Sequence, residues 1–214
     1  MLYKTVLFDL DGTLIESGPG IFAAARFVMR EMGIEDIPDD KLVKMIGPPL
    51  ADCFRHVIGV PEERVFEATE RYHAAAKTIG LDLIKPYPGI PELLQKLKAM
   101  GATVGVVTSK VTPTAKEHLS RFGLAPYIDY LRGGIPGGSA DKLMLVEAAR
   151  DDLPGPSSSK VMIGDRHFDL NAAKRAGLPS IGVTYGYGSA EEIAASSPTY
   201  TVNSVAELSA LLTD

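Results

Sequence analysis

The chain has 214 residues, 45% hydrophobic and 23% charged, with a formal net charge of −5. That is ordinary globular composition, sized for one domain or a core domain with an insert, against about 150 residues per domain. The acidic balance leaves no basic footprint for nucleic acid, the lone Cys53 excludes an internal disulfide, and no apolar run reaches the roughly 18 residues of a membrane helix.

The first apolar run predicts a strand from Lys4 to Leu10. It is broken at Asp9, so it is no signal peptide, and a soluble cytoplasmic protein is expected. A mainly helical region follows, about 20–80. Ile21, Ala24, Ala25, Val28, Met29 and Met32 recur at helical spacing before Gly33. A short helix ends at Ile46-Gly47-Pro48-Pro49, and Pro61 opens another that runs to about Lys77. After Lys85 to Gly89, strands and helices alternate. Ile90, Leu93, Leu94, Leu97 and Met100 mark a helix, and "ATVGVVTS" is a continuous apolar strand of the doubly covered kind. Thr112-Pro113 starts a helix, "YIDYLRGG" reads as a strand, and Asp141 to Arg150 as a helix. "KVMIGD" is a strand and Leu170 to Ala176 helical. "PSIGVTYG" and "TYTVN" are short strands, and Val205 to Leu212 is the last helix. This alternation predicts an α/β fold with a Rossmann-like, mostly parallel sheet. The sixty-residue helical stretch is too long for a crossover and reads as an inserted α-helical subdomain. The expected boundaries are 1–16 with 83–214 for the core and 17–82 for the insert.

Ligands in such sheets bind at the carboxyl ends of the strands. The first strand brings Asp9 and Asp11 there. "ATVGVVTSK" brings Thr108, Ser109 and Lys110, and "KVMIGDRHFD" brings Asp165 and Asp169. Lys142 opens the helix before that last strand. Two carboxylates as close as Asp9 and Asp11 repel and are costly to desolvate, so folding alone gives little reason for them. Surplus carboxylates suit Mg2+, whereas lysines and hydroxyls suit a phosphate. There is no P-loop and no dinucleotide fingerprint, so the phosphate is expected on a small substrate, with an Asp available to attack it. Each residue also has a plainer role open to it. Asp165, Asp169, Thr108 and Ser109 are good helix caps, and Lys142 is an ordinary helix lysine. The four histidines (His56, His73, His118 and His167) lack metal-ligand spacing.

Asp9-Leu10-Asp11-Gly12-Thr13, Thr108, Lys142 and Gly164-Asp165 with Asp169 resemble, in order, the four motifs of the haloacid dehalogenase superfamily. "IGPPL", "YPGIPELL", "VVTSK", "MIGDRHFD" and "GVTYGYGS" look closest to its phosphoglycolate phosphatase and 5'-nucleotidase-like branch. The helical insert resembles that branch's mobile cap. The resemblance implies a Mg2+-dependent phosphatase acting on a small phosphomonoester. Asp9 would be the nucleophile that forms an aspartyl-phosphate, and Asp11 the acid/base. Thr108 and the Ser109 amide would grip the phosphate, and Lys142 would neutralise its charge. Asp9, the Asp11 carbonyl, Asp165 and Asp169 would hold the metal, and the Gly47-Pro48 loop would read the substrate. Two positions depart from the family pattern. Glu16 stands where Asp is frequent, and Lys142 is followed by Leu143 rather than Pro, which keeps Lys110 in view for the phosphate-neutralising role.

Rival readings remain at this level. A dehalogenase proper lacks the second motif-one aspartate, which is present here as Asp11. A β-phosphoglucomutase-like phosphomutase shares all four motifs, and a non-catalytic binding protein can use the same fold. Arg26, Lys44 and Arg55 are cations that could meet a carboxylate or second phosphate on a substrate, but each reads first as a solvated helix residue. The partner expected is a small phosphate ester, with no nucleic acid and no membrane.

Overall fold

The computed structural model describes residues 2–135 and 141–213. β1 (Thr5–Phe8) is buried at every position, as a strand covered on both faces must be. β2 (Ile15–Glu16) leads into the helices α1 (Gly18–Glu31), α2 (Asp39–Leu42), α3 (Leu50–Asp52) and α4 (Glu62–Ala75). β3 (Lys85–Pro86) pairs with β2 in a small two-stranded sheet. Alternation then sets in with α5 (Ile90–Ala99), β4 (Thr103–Val111), α6 (Thr112–Arg121), β5 (Tyr130–Gly134) and α7 (Lys142–Asp152). It continues through β6 (Lys160–Gly164), α8 (His167–Arg175), β7 (Ser180–Val183), α9 (Ala190–Ser196), β8 (Tyr200–Val202) and α10 (Val205–Thr213).

Six strands form one parallel sheet in the order β5-β4-β1-β6-β7-β8. The chain steps from β1 to β4 and β5 on one side, then returns to build β6, β7 and β8 on the other. The order therefore reverses at β1, and a reversal is where an α/β sheet opens a crevice beyond its carboxyl ends. Leu7, Val107, Val146, Met162 and Ala173 form part of one buried cluster joining β1, β4 and β6 to α7 and α8.

Three details differ from the sequence expectation. β1 stops at Phe8 rather than Leu10. The amides of Leu14 and Ile15 both donate to the Leu10 carbonyl at 3.0 Å, so the chain there is already a turn. α3 and the π-helical stretch Cys53–Ile58 form a helical segment that periodicity did not resolve, closed by Gly59 at φ 81°. α9 was not foreseen. It has seven residues, too few to show a period, and starts where the Ser189 hydroxyl accepts from the Glu192 amide.

The chain divides into two compact units, Met1–Ile15 with Pro86–Asp214, and Glu16–Lys85. The first contains the six-stranded sheet. The second is helical, with one buried cluster around Val28, Phe54, Val65 and Ala68 and another around Ala25, Leu42, Met45 and Cys53. Among the described residues no helix is long and apolar enough to cross a membrane.

Candidate active site

The site grows from the end of β1. The Asp9 amide still donates to the Ile163 carbonyl at 2.9 Å, which fixes Asp9 beside β6 although the strand has ended. The turn that follows needs a glycine. Gly12 has φ +84°, and a Cβ on it would lie 2.2 Å from Asp165 Oδ2. That close approach seats Asp165, which is fully buried. Asp165 Oδ1 accepts from the Thr13 hydroxyl at 3.3 Å and Oδ2 from the Tyr187 amide at 2.7 Å. The Tyr185 hydroxyl ties the same turn by donating to the Thr13 carbonyl at 3.0 Å. The sequence gives Tyr185 and Tyr187 no role, and Thr13 only a place in the turn of the first motif. "GVTYGYGS" was conspicuous, but nothing in its spacing says which carboxylate it meets.

Lys142 is the first residue of α7, set there because the Asp141 side chain caps the helix by accepting from the Leu143 amide at 2.9 Å. Its ammonium is buried. It donates to Asp9 Oδ1 at 2.7 Å and to the Val107 carbonyl at 3.0 Å. Asp169 Oδ1 also lies 2.7 Å from Nζ, a charge contact off the line of a hydrogen bond. Burial works against the charged lysine, but Asp169 and Asp9 outweigh it and raise its pKa.

Lys110 lies elsewhere in the site. Its Nζ is 3.0 Å from Asp11 Oδ2. The two lysines, rivals in the sequence, are thus separated by the fold: Lys142 on Asp9 and Asp169, Lys110 on Asp11. Thr108 is buried and its hydroxyl oxygen accepts from the Lys110 amide at 3.2 Å, which leaves its O–H to donate. Ser109 follows it on β4, half-buried.

Asp165 and Asp169 flank the start of α8. The Arg166 amide donates to Asp169 Oδ2 at 3.3 Å, so the capping role considered for Asp169 is present. Glu192, from α9, braces this turn. One oxygen, Oε1, meets Arg166 Nε at 2.9 Å, the His167 amide at 2.9 Å and His167 Nδ1 at 2.6 Å. Burial pushes the Glu192 carboxyl up, but these donors outweigh it and lower the pKa. Sequence could not signal this brace, because Glu192 lies 26 residues from Arg166 on an unforeseen helix.

Gly47 and Pro48 lie in the helical unit, in the loop before α3, with Gly47 at φ 109°. Lys44, in the same unit, is exposed. Arg26 is engaged locally, with Nε 3.0 Å from Asp36 and Nη2 2.6 Å from Asp39. Arg55 pairs with Asp52 at 2.7 Å and Glu62 at 2.5 Å. Both arginines thus have carboxylate partners within their own unit.

Electrostatics point to a cation. Carboxylate oxygens of Asp9, Asp165 and Asp169, one from each, lie within 4.8 Å of one another, and all three residues are buried. Burial, then the charges of Asp169 and Asp9, push Asp165 well above the usual carboxylate range. Asp9 is pushed up to about 7, by burial first; Lys142 opposes the rise while Asp169 and Asp11 add to it. Three buried carboxylates stand against one buried ammonium, an imbalance a divalent cation would relieve. The donors are all carboxylate oxygens, the chemistry of a hard ion, and the set fits one.

Residues 6–183 match the family model described as haloacid dehalogenase-like hydrolase. A 5'-nucleotidase of Pseudomonas aeruginosa is 36% identical over 211 residues, spanning 98% of this chain and 96% of the relative. A phosphoglycolate phosphatase of Neisseria meningitidis is 32% identical over 196 residues, spanning 86% and 82%. The crystal structure of a predicted phosphatase from Clostridium acetobutylicum superposes with a TM-score of 0.91 at 38% identity, covering 99% of each chain. With the buried carboxylates at the end of β1 and the parallel sheet that holds them, these likenesses show that the chain belongs to the haloacid dehalogenase-like hydrolases and stands among their phosphatases.

Proposed function

We infer that the protein is a Mg2+-dependent phosphatase that hydrolyses a small phosphomonoester, of nucleotide or phosphoglycolate type, through an aspartyl-phosphate on Asp9. The observation that carries this reading is the Lys142 ammonium, 2.7 Å from both Asp9 and Asp169, whose carboxylates cluster with that of Asp165. A nucleophilic carboxylate must approach an anionic phosphate, and a fixed cation beside it offsets the repulsion. The activities of the relatives, a 5'-nucleotidase and a phosphoglycolate phosphatase, support the choice of ester.

Asp9 attacks phosphorus, and the bond to the leaving oxygen breaks. Asp11 gives that oxygen a proton, then takes one from the water that opens the aspartyl-phosphate. Thr108 donates its O–H to a phosphate oxygen, with the Ser109 amide beside it. Lys142 holds the Asp9 oxygen and neutralises charge between nucleophile and phosphate. Asp9, Asp165, Asp169 and the Asp11 carbonyl would hold Mg2+, which would supply positive charge against the carboxylates and the phosphate oxygens. The helical unit serves as the cap, and the Gly47-Pro48 loop reads the leaving group.

The test is phosphate release from a panel of phosphomonoesters, with Mg2+ and with chelator, alongside Asp9→Asn. Release that needs Mg2+ and disappears in Asp9→Asn is expected. Release that survives either change would break this mechanism, and sugar-phosphate isomerisation without net release would turn the reading to a phosphomutase. Substitution of Gly47 should alter the ranking of esters more than the turnover of the best one. Independently of turnover, Mg2+ alone should raise Tm, and Asp165→Asn should abolish that rise.

A further inference from the structure

We propose that Lys110 is a positioning residue for the proton transfer: its ammonium holds the Asp11 carboxyl in the orientation that serves the leaving-group oxygen. The inference rests on the reading of Asp11 as the acid/base.

β4 begins as a regular strand, paired with β5 from Gly105 to Val107. The register then shifts before Val111 pairs with Gly134. Such an irregularity re-aims side chains at the end of a strand. Here the neighbouring strand makes room for it. A Cβ on Gly133 would sit 2.7 Å from the Lys110 carbonyl oxygen and 2.9 Å from the Thr112 amide nitrogen, so only a glycine lets β5 lie against the displaced backbone. Within the same stretch the Lys110 amide donates to the Thr108 hydroxyl and the Lys110 side chain reaches Asp11 Oδ2 at 3.0 Å. One residue thus orders both a proposed phosphate-gripping hydroxyl and the proposed acid/base.

The pair is mostly enclosed, with the lysine side chain 14% and the aspartate 13% exposed. An ion pair held this far from solvent restricts the carboxyl more firmly than a surface pair. His118 on α6 is buried, and its pKa is pushed down to about 4, by burial first and by the Lys110 charge next, so at neutral pH it adds no second cation.

The chemistry assigns the consequence. As the ester P–O bond breaks, its electron pair goes to the leaving oxygen, which takes the Asp11 proton while Asp9 forms the new P–O bond. A tilted carboxyl should cost most where the leaving oxygen most needs protonation. An alkoxide depends on the acid heavily, and p-nitrophenolate hardly at all.

The experiment compares kcat/KM, which ends at departure of the leaving group and so excludes the shared opening of the aspartyl-phosphate, on ethyl phosphate and on p-nitrophenyl phosphate at saturating Mg2+, for the native protein, Asp11→Asn, Lys110→Gln and Lys110→Arg. Asp11→Asn calibrates the assay by losing more on the ethyl ester. Lys110→Gln is expected to show the same asymmetry, about tenfold or more in the ratio of the two losses, and Lys110→Arg to recover part of it. Gly133→Ala, which keeps the lysine but disturbs the shifted backbone, should move the ratio the same way and serves if Lys110→Gln does not fold. Equal losses on both esters in Lys110→Gln and Gly133→Ala, or none, overturn the proposal and leave Asp11 as the acid. Equal losses in Asp11→Asn remove the acid role itself, and the proposal with it.

Discussion

In the α/β unit, Lys142 and Asp9 pair with side chains 8% and 10% exposed, whereas in the helical unit Arg55 and Glu62 pair at 31% and 71%. The first pair lies among further buried carboxylates, the second among neighbours that water can reach. A buried charge must be matched, because removing one partner strands the other in a poor solvent. An exposed pair is screened and adds little. The two units use the same residue types, but among the described residues the enclosed ion pairs lie in the α/β unit, where a change in one charge alters the energy of its neighbours most. That is the condition a phosphoryl-transfer site needs.

The largest effect should come from Lys142→Met. It leaves Asp9 and Asp169 without their common cation, and we expect a loss of about 3–5 kcal/mol in urea unfolding of the metal-free protein. Phosphate release should disappear with it. A loss no larger than a surface substitution gives would end the contrast between the units.

Acid provides a second way in. His118 has a folded pKa of about 4, against an ordinary value near 6.5. Between those values the unfolded chain binds the proton and the folded chain does not. The stability from its neutral burial is therefore complete above about pH 6.5 and lost as the pH falls through 4. The full loss is on the order of 3 kcal/mol. His118→Gln should flatten this part of the stability curve, measured as the difference from the native protein across pH 4 to 7.

Gly12→Ala should cost roughly 1–3 kcal/mol from the left-handed backbone alone. Its methyl group would also press on Asp165. The Mg2+-dependent rise in Tm should shrink more than the metal-free Tm falls. An unchanged metal response would show that the close approach at Asp165 does not matter to the ion.

The smallest effect belongs to the helical unit. Arg55→Ala breaks contacts to Asp52 and Glu62, yet no resolvable change in Tm is expected. A clear destabilisation there would mean that its exposed pairs act as a network.

Much of this molecule was legible before any coordinates. Alternating apolar strands and amphipathic helices follow from local periodicity, and an aspartate pair after a buried strand is anomalous on solvation grounds alone. The order of Asp9, Thr108, Lys142 and Asp165 along the chain sufficed for the family. Local sequence could not choose between Lys110 and Lys142. Lys142 reaches Asp9 across 133 residues, and only the return of the chain to β6 and α7 brings them together. Nor could it reveal the Glu192 brace or the Gly133 opening, because each is a contact between elements and neither leaves a period in the sequence. Solvation and periodicity are properties of short stretches, so the sequence by itself determined the elements and the residue types at the strand ends. Which charge faces which carboxylate depends on the register of parallel strands and the rotation of the helices between them, and the tertiary structure alone decided that.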